Sequence, residues 1–171
     1  TLATLTKEYI FVRNSMDGLL RSEAQYYNAN ELVQAVELGV VTHPALLRYV
    51  HEYFKTVKYF SGQSMIDVYI GVDPLNALAA IRLRRKGKVR RAIFLTADYS
   101  PKRFNNAVLN MIYHAIDKYC VKHADEVWSV STRICEIRRK MGLPDEKNIF
   151  VPNVPPAEYA NFASNRHDPY R

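Results

Sequence analysis

The sequence predicts an α/β fold built on a parallel sheet. Three observations carry that prediction. Short apolar or β-branched segments recur at 67–71, 91–96, 126–130 and 147–151, helical patterns separate them, and a cap or stop signal marks each junction. Strands that alternate with helices in this way lie parallel and are joined by right-handed crossovers.

Each element has its own warrant. Residues 9–13 (YIFVR) are β-rich and read as a strand, whereas 14–29 show no clear period. Asn30 reads as the cap of a short helix through Leu38 that Gly39 ends. Pro44, after Thr42 and His43, opens a longer helix to about Phe60. Its Leu47, Val50, Phe54 and Val57 form one apolar stripe of the kind that faces a core. Residues 67–71 (DVYIG) are a continuous apolar strand, as expected where both faces are covered. Asp73-Pro74 caps and starts a helix to Lys86, and Gly87 stops it. A strand at 91–96 precedes a helix over 106–122 with Val108, Ile112, Ile116, Tyr119 and Cys120 on one side. After the strand at 126–130, Ser131 or Thr132 caps a helix carrying Ile134, Ile137 and Met141. Gly142 and Pro144 end it, and the last strand follows.

The length fits one domain with a real core. No apolar run approaches the ~20 residues of a membrane helix, and no secretory signal is visible. Two cysteines, Cys120 and Cys135, suggest neither a disulfide scaffold nor a metal site, and read as buried thiols of a cytoplasmic protein. The five histidines show no metal spacing. No Gly-x-Ser-x-Gly elbow, Walker loop or Gly-x-Gly-x-x-Gly is present.

In an open parallel sheet, ligands bind at the carboxyl ends of the strands. That rule selects the loops at 71–74, 96–103, 129–132 and 152–156. Asp73 reads as a helix cap at the ligand edge. The 96–103 loop gathers Asp98, Tyr99, Lys102 and Arg103, convergent polar groups over an apolar strand. Asp98 is equally readable as a turn residue paired to Lys102 or Arg103. Ser129 and Ser131 flank a helix start whose free N–H groups suit a phosphate or a sugar hydroxyl, or simple capping. Asn153, past the last strand, reads as a candidate cleft residue or as an Asn that closes a turn by bonding its own backbone.

Ala124-Asp125-Glu126-Val127, Val130-Ser131, Gly142-Leu143-Pro144, Lys147-Asn148-Ile149 and Val151-Pro152-Asn153-Val154 stand in one order and spacing. Together they resemble the closing βαβ unit of the N-terminal domain of GT-B glycosyltransferases, the retaining, nucleotide-sugar-dependent group 1 (family 4) type. The glycine usual after the Asn is replaced by Val154, and the resemblance fades upstream to about residue 66. It implies a Rossmann-like parallel sheet sandwiched between helices, half of a two-domain architecture. Residues 1–154 would be the acceptor-side domain and 155–171 an interdomain linker. The chain opens mid-pattern without an initiator Met and reads as an excised domain, and the resemblance implies a donor-binding C-terminal domain beyond Arg171. The implied activity is sugar transfer from a nucleotide-diphosphate sugar with retention, the fragment alone being inactive and binding no cofactor itself. The acceptor remains open among glycan, protein, small molecule and lipid-linked sugar. The matching strand of many relatives ends in a His near the reacting sugar. This chain has none there, so Asp98 is the nearest catalytic substitute.

The charge is uneven. Residues 82–103 hold nine Lys or Arg and one acid, Asp98, in a chain of net +7. Such a run fits a solvated surface or an anionic partner. With 101–113 beside it, the run suggests peripheral contact with an anionic membrane on its inner face. Two rivals share parts of this reading. A GT-B sugar-nucleotide epimerase has the same architecture, and a basic nucleic-acid-binding α/β module explains the charge. The absence of aromatics from RLRRKGKVRR disfavours the second.

Overall fold

A computed structural model describes residues 6–14, 21–39 and 45–153. It is a Rossmann-like α/β structure with a four-stranded parallel sheet flanked by helices, plus a three-stranded antiparallel sheet contributed by the N-terminal region.

The small sheet is β1 (Glu8–Arg13), β2 (Ser22–Asn28) and β3 (Glu31–Gly39), in that order. Its β3 occupies the stretch expected to be helical. Asn28 pairs with Glu31 across Ala29 and Asn30, which have φ of 49° and 69°. Two successive positive φ values make the tight hairpin turn whose twist matches paired strands. Asn30 is therefore a turn residue, not a helix cap. The ELVQAVEL pattern takes strand geometry because β2 supplies a partner along most of its length. Tyr9 stacks on Tyr27 across β1 and β2 with ring centroids 4.7 Å apart, while Ile10 and Val12 pack on the main core.

The parallel sheet runs β4 (Ile66–Val72), β5 (Val89–Thr96), β6 (Glu126–Ser129) and β7 (Asn148–Phe150), each paired with the next. The intervening helices are α2 (Pro74–Arg85), α3 (Ala107–His123) and α4 (Thr132–Lys140), with α1 (Ala45–Ser61) ahead of β4. α2 packs on β4 and β5, and α1 and α3 pack against α2. The core joins Phe60, Tyr69, Ile81, Leu83, Phe94 and Val127. β4 is not covered evenly: Tyr69 and Gly71 are buried, whereas Val68 and Val72 alternate with them and stay half-exposed.

Gly71 has a specific reason. A Cβ there would lie 2.4 Å from the Ala77 nitrogen, inside any real contact distance. Its missing side chain is what lets α2 cross β4 so closely.

α1 covers the described part of the expected helix, Pro44 lying outside the described residues, but turns its apolar stripe outward. Leu47, Val50 and Phe54 point to solvent, and of the predicted stripe only Val57 is buried. The inward face instead carries Glu52 and Thr56, each 1% exposed. Glu52 accepts from Ser22 Oγ (2.8 Å) and Lys55 Nζ (2.7 Å), so the buried carboxylate ties β2 to α1.

The basic run does not form one patch. Arg82, Arg84 and Arg85 close α2 and Arg90 and Arg91 open β5 at the amino edge of the sheet, while Lys102 and Arg103 follow its carboxyl end. Eight residues of β5 at about 3.3 Å each separate the two groups by roughly 25 Å. Arg84, Arg90, Arg91 and Arg103 are moreover paired with Asp125, Asp67, Glu126 and Asp98.

Candidate functional site

A cleft of ≈ 290 Å³ opens at the carboxyl edge between β4 and β5. Val72, Pro74 and Phe94 give it apolar walls, and Asp73, Asp98, Asp117 and Arg103 supply the charged groups. The cleft lies where the strand-end rule places a ligand. It brings together three of the sequence-selected residues, Asp73, Asp98 and Arg103.

Asp73 is placed by local chemistry. Its Oδ1 accepts from the Leu75 (2.9 Å) and Asn76 (3.2 Å) backbone N–H groups, capping α2, and Pro74 fills the first helical position. Its φ of 72° with ψ of 164° is a conformation that glycine tolerates and other residues rarely adopt. The strain is of order 1–3 kcal/mol and is held by the cap. A polar chain steadies the carboxylate further. Asn76 Nδ2 donates to Asp73 Oδ2 (3.2 Å) and to the Val72 carbonyl (3.0 Å). Asn76 Oδ1 accepts from Asn14 Nδ2 (3.0 Å), and Asn14 Oδ1 accepts from Thr56 Oγ1 (3.2 Å). The end of β1 and the buried face of α1 thereby fix which way the Asn76 amide points.

Burial raises the Asp73 carboxyl above the ordinary carboxylate value, and the Asn76 and Leu75 donors and the Arg103 charge pull it partly back. The folded protein then holds this proton more tightly than the unfolded chain. Asp73 therefore costs stability progressively as pH rises from the ordinary carboxylate value through its raised folded value, and the cost is complete above that. Asp73→Asn, which keeps a capping oxygen, should flatten this part of the stability–pH curve. Urea melts across the acid range check it, and identical slopes in both proteins would show that Asp73 titrates normally.

Asp98 is exposed and its Oδ2 is paired with Arg103 Nη1. The turn-pairing role read for Asp98 is thus present, with Arg103 and not Lys102 as the partner. The loop is braced by Asn110 of α3, whose Oδ1 accepts from Arg103 N (2.8 Å) and whose Nδ2 donates to the Pro101 carbonyl (3.0 Å). Tyr113, beside Arg103, has its phenol pushed up to about 12, chiefly by burial.

The other selected residues lie apart from the cleft lining. Tyr99 covers the Arg138 guanidinium at 5.2 Å, and Lys102 is exposed. Ser131 Oγ caps α4 by accepting from Ile134 N at 3.3 Å, and Asn153 is exposed past β7. Ser129 is fully buried beside Thr96.

Sequence reasoning missed the pair beneath the cleft. Arg138 of α4 is fully buried and grips Asp117 of α3 with both terminal nitrogens, at 2.5 and 2.8 Å. It also donates to Thr96 Oγ1 (3.2 Å), and its guanidinium lies over the Phe94 ring at 5.4 Å. The available signal was a lone Asp within an apolar helical face, opposite a helix rich in Arg. Cys120, one turn from Asp117, donates its thiol to the Pro74 carbonyl (3.3 Å), and burial pushes its pKa far up. Among the described residues no cluster of His, Cys, Asp and Glu could hold a metal.

The donor set suits hydroxyl groups. The described cation that lines the cleft, Arg103, is already committed to Asp98, and Arg138 beneath it is committed to Asp117. A phosphate would find no uncommitted cation among the described lining residues, whereas a neutral polyol finds carboxylate acceptors and apolar walls. No family model, curated protein or solved structure matches the chain.

Proposed function

We propose that this chain is the acceptor-holding part of a retaining, nucleotide-sugar-dependent glycosyltransferase. The observation that carries the reading is the strand-end cleft of Asp73, Asp98 and Arg103, where Arg103 is paired to Asp98 and two carboxylates line a ligand-sized space. The order of motifs from Ala124 to Val154 supports it. In this scheme the Oδ1 oxygen of Asp98, opposite the one held by Arg103, accepts a hydrogen bond from the acceptor hydroxyl and orients it. The hydroxyl oxygen bonds to the anomeric carbon as the bond from that carbon to the nucleoside diphosphate breaks, and the hydroxyl proton passes to the departing diphosphate oxygen. The resemblance assigns the donor to a second, C-terminal domain of such enzymes. The separation of the basic run into two distant groups argues against a continuous nucleic-acid groove.

The test is donor turnover by the parent polypeptide extended past Arg171, assayed beside this chain with UDP-, GDP- and ADP-sugars. Turnover by the long form alone, lowered roughly 10–100-fold by Asp98→Ala at unchanged melting temperature, is the expected result. Wild-type turnover in that variant removes Asp98 from the site, and no turnover of any sugar nucleotide overturns the reading.

A further inference from the structure

The three helices α1, α2 and α3 form a layer beside the sheet, and their acids are distributed in an unusual way. Across all three helices the only acidic residues are Glu52 and Asp117. Each is 1% exposed and engaged inside the protein. The outward surface of the layer consequently carries cations without a single exposed acid: Lys58, Arg82, Arg85, Lys118 and Lys122 are all exposed.

α1 and α3 also expose apolar side chains. Leu47, Val50 and Phe54 on α1 are 57, 46 and 54% exposed, and Val108, Met111 and Ile112 on α3 are also open to solvent. Leu47, Val50 and Phe54 border a shallow groove of ≈ 560 Å³ with His51, Lys55 and Lys58. Leu47, Val50, Val108, Met111 and Ile112 lie in the first two turns of their helices, and Phe54 lies at the middle of α1. α2 and α3 begin at the carboxyl edge of the sheet, and α1 ends just before β4 enters at the amino edge. The apolar residues of the first turns therefore lie beside the cleft, and the exposed cations lie in the later turns.

A helix that buries Glu52 and Thr56 while exposing Leu47, Val50 and Phe54 has its apolar face turned outward toward something. Charge complementarity selects the occupant. Apolar side chains that penetrate an interface, followed by acid-free cationic turns, match a bilayer with anionic headgroups. We infer that the outer face of α1–α3 docks on an anionic lipid surface, with Leu47, Val50, Phe54 and Met111 entering the interface. This places the docking surface on the helical layer, which takes in the α2 end of the basic run, Arg82 and Arg85, and leaves out Lys102 and Arg103 at the other edge of the sheet. It also sets the cleft mouth next to the membrane, where a lipid-linked acceptor would be presented.

Vesicle flotation of this chain tests the inference and needs no enzymatic activity, so it stands or falls apart from the proposed transferase. The chain should float with phosphatidylcholine–phosphatidylserine vesicles, bind neutral phosphatidylcholine vesicles far less, and be released by salt. Val50→Asp/Phe54→Asp should abolish flotation, and replacing Lys58 or Arg85 by Ala should weaken binding about fivefold each. Phe11→Ser, an equally exposed apolar residue on β1, should leave binding unchanged. Circular dichroism and melting curves establish that the variants fold. Failure of the wild-type chain to float, or equal flotation of the α1 double variant, overturns the proposal. Sedimentation showing self-association that the same α1 substitutions abolish also overturns it, since the face would then belong to a second copy.

Discussion

Arg138→Met is expected to destabilise the protein by about 3–5 kcal/mol, because Asp117 would become a buried carboxylate without a partner. The pair is almost wholly out of water, held through two hydrogen bonds and a third to Thr96. Desolvation of two charges offsets much of their attraction, so the pair itself contributes little net stability. Its removal as a unit should accordingly be mild. Arg138→Met/Asp117→Leu should recover most of the loss seen in either single variant. Urea denaturation of the four proteins closes the cycle. If the single losses simply add in the double variant, the two side chains are not coupled in solution. Functionally the double variant is informative too, because it removes an acidic wall of the cleft while sparing the core.

Gly71→Ala should cost about 4 kcal/mol, more than the ~1–3 kcal/mol typical of an overpacked core site. The added methyl would meet the backbone of Asn76 and Ala77 at 2.4–2.6 Å, and backbone cannot swing aside as a side-chain tip can. Relief requires α2 to lift from β4, which would strip burial from Ala77, Ala80 and Ile81 and displace the Asp73 cap. A domain stable by only ~5–15 kcal/mol would lose a large share. Thermal melting and expression yield read the outcome, and a melting temperature near wild type would mean that α2 can re-seat. Gly87→Ala makes a useful contrast: its Cβ would meet nothing, leaving only the positive φ of 70° as a cost.

What the sequence made legible follows from whether the determining chemistry is local. The strand–helix rhythm, the caps at Asp73 and Ser131 and the stops at Gly87 and Gly142 depend on neighbours within a few residues, and all stand where expected. The strand-end rule then located the cleft and three of its charged groups. The failures have distant causes. The ELVQAVEL stretch is compatible with two periods, and pairing with β2 decided between them. The α1 spacing showed which residues share a face, but not which face is covered, and Ser22 helped turn Glu52 inward. Arg138 and Asp117 sit on different helices, and nothing at that separation marks them as partners.

The two thiols carry an experimental consequence. Cys120 and Cys135 are both buried and unbridged, one on α3 and one on α4. A thiol-reactive dye can modify them only when the helix that carries each is released from the sheet. Labelling times under native conditions would therefore clock the opening of α3 and α4 separately. The protein comes with two built-in reporters, one on either side of the Arg138–Asp117 clasp.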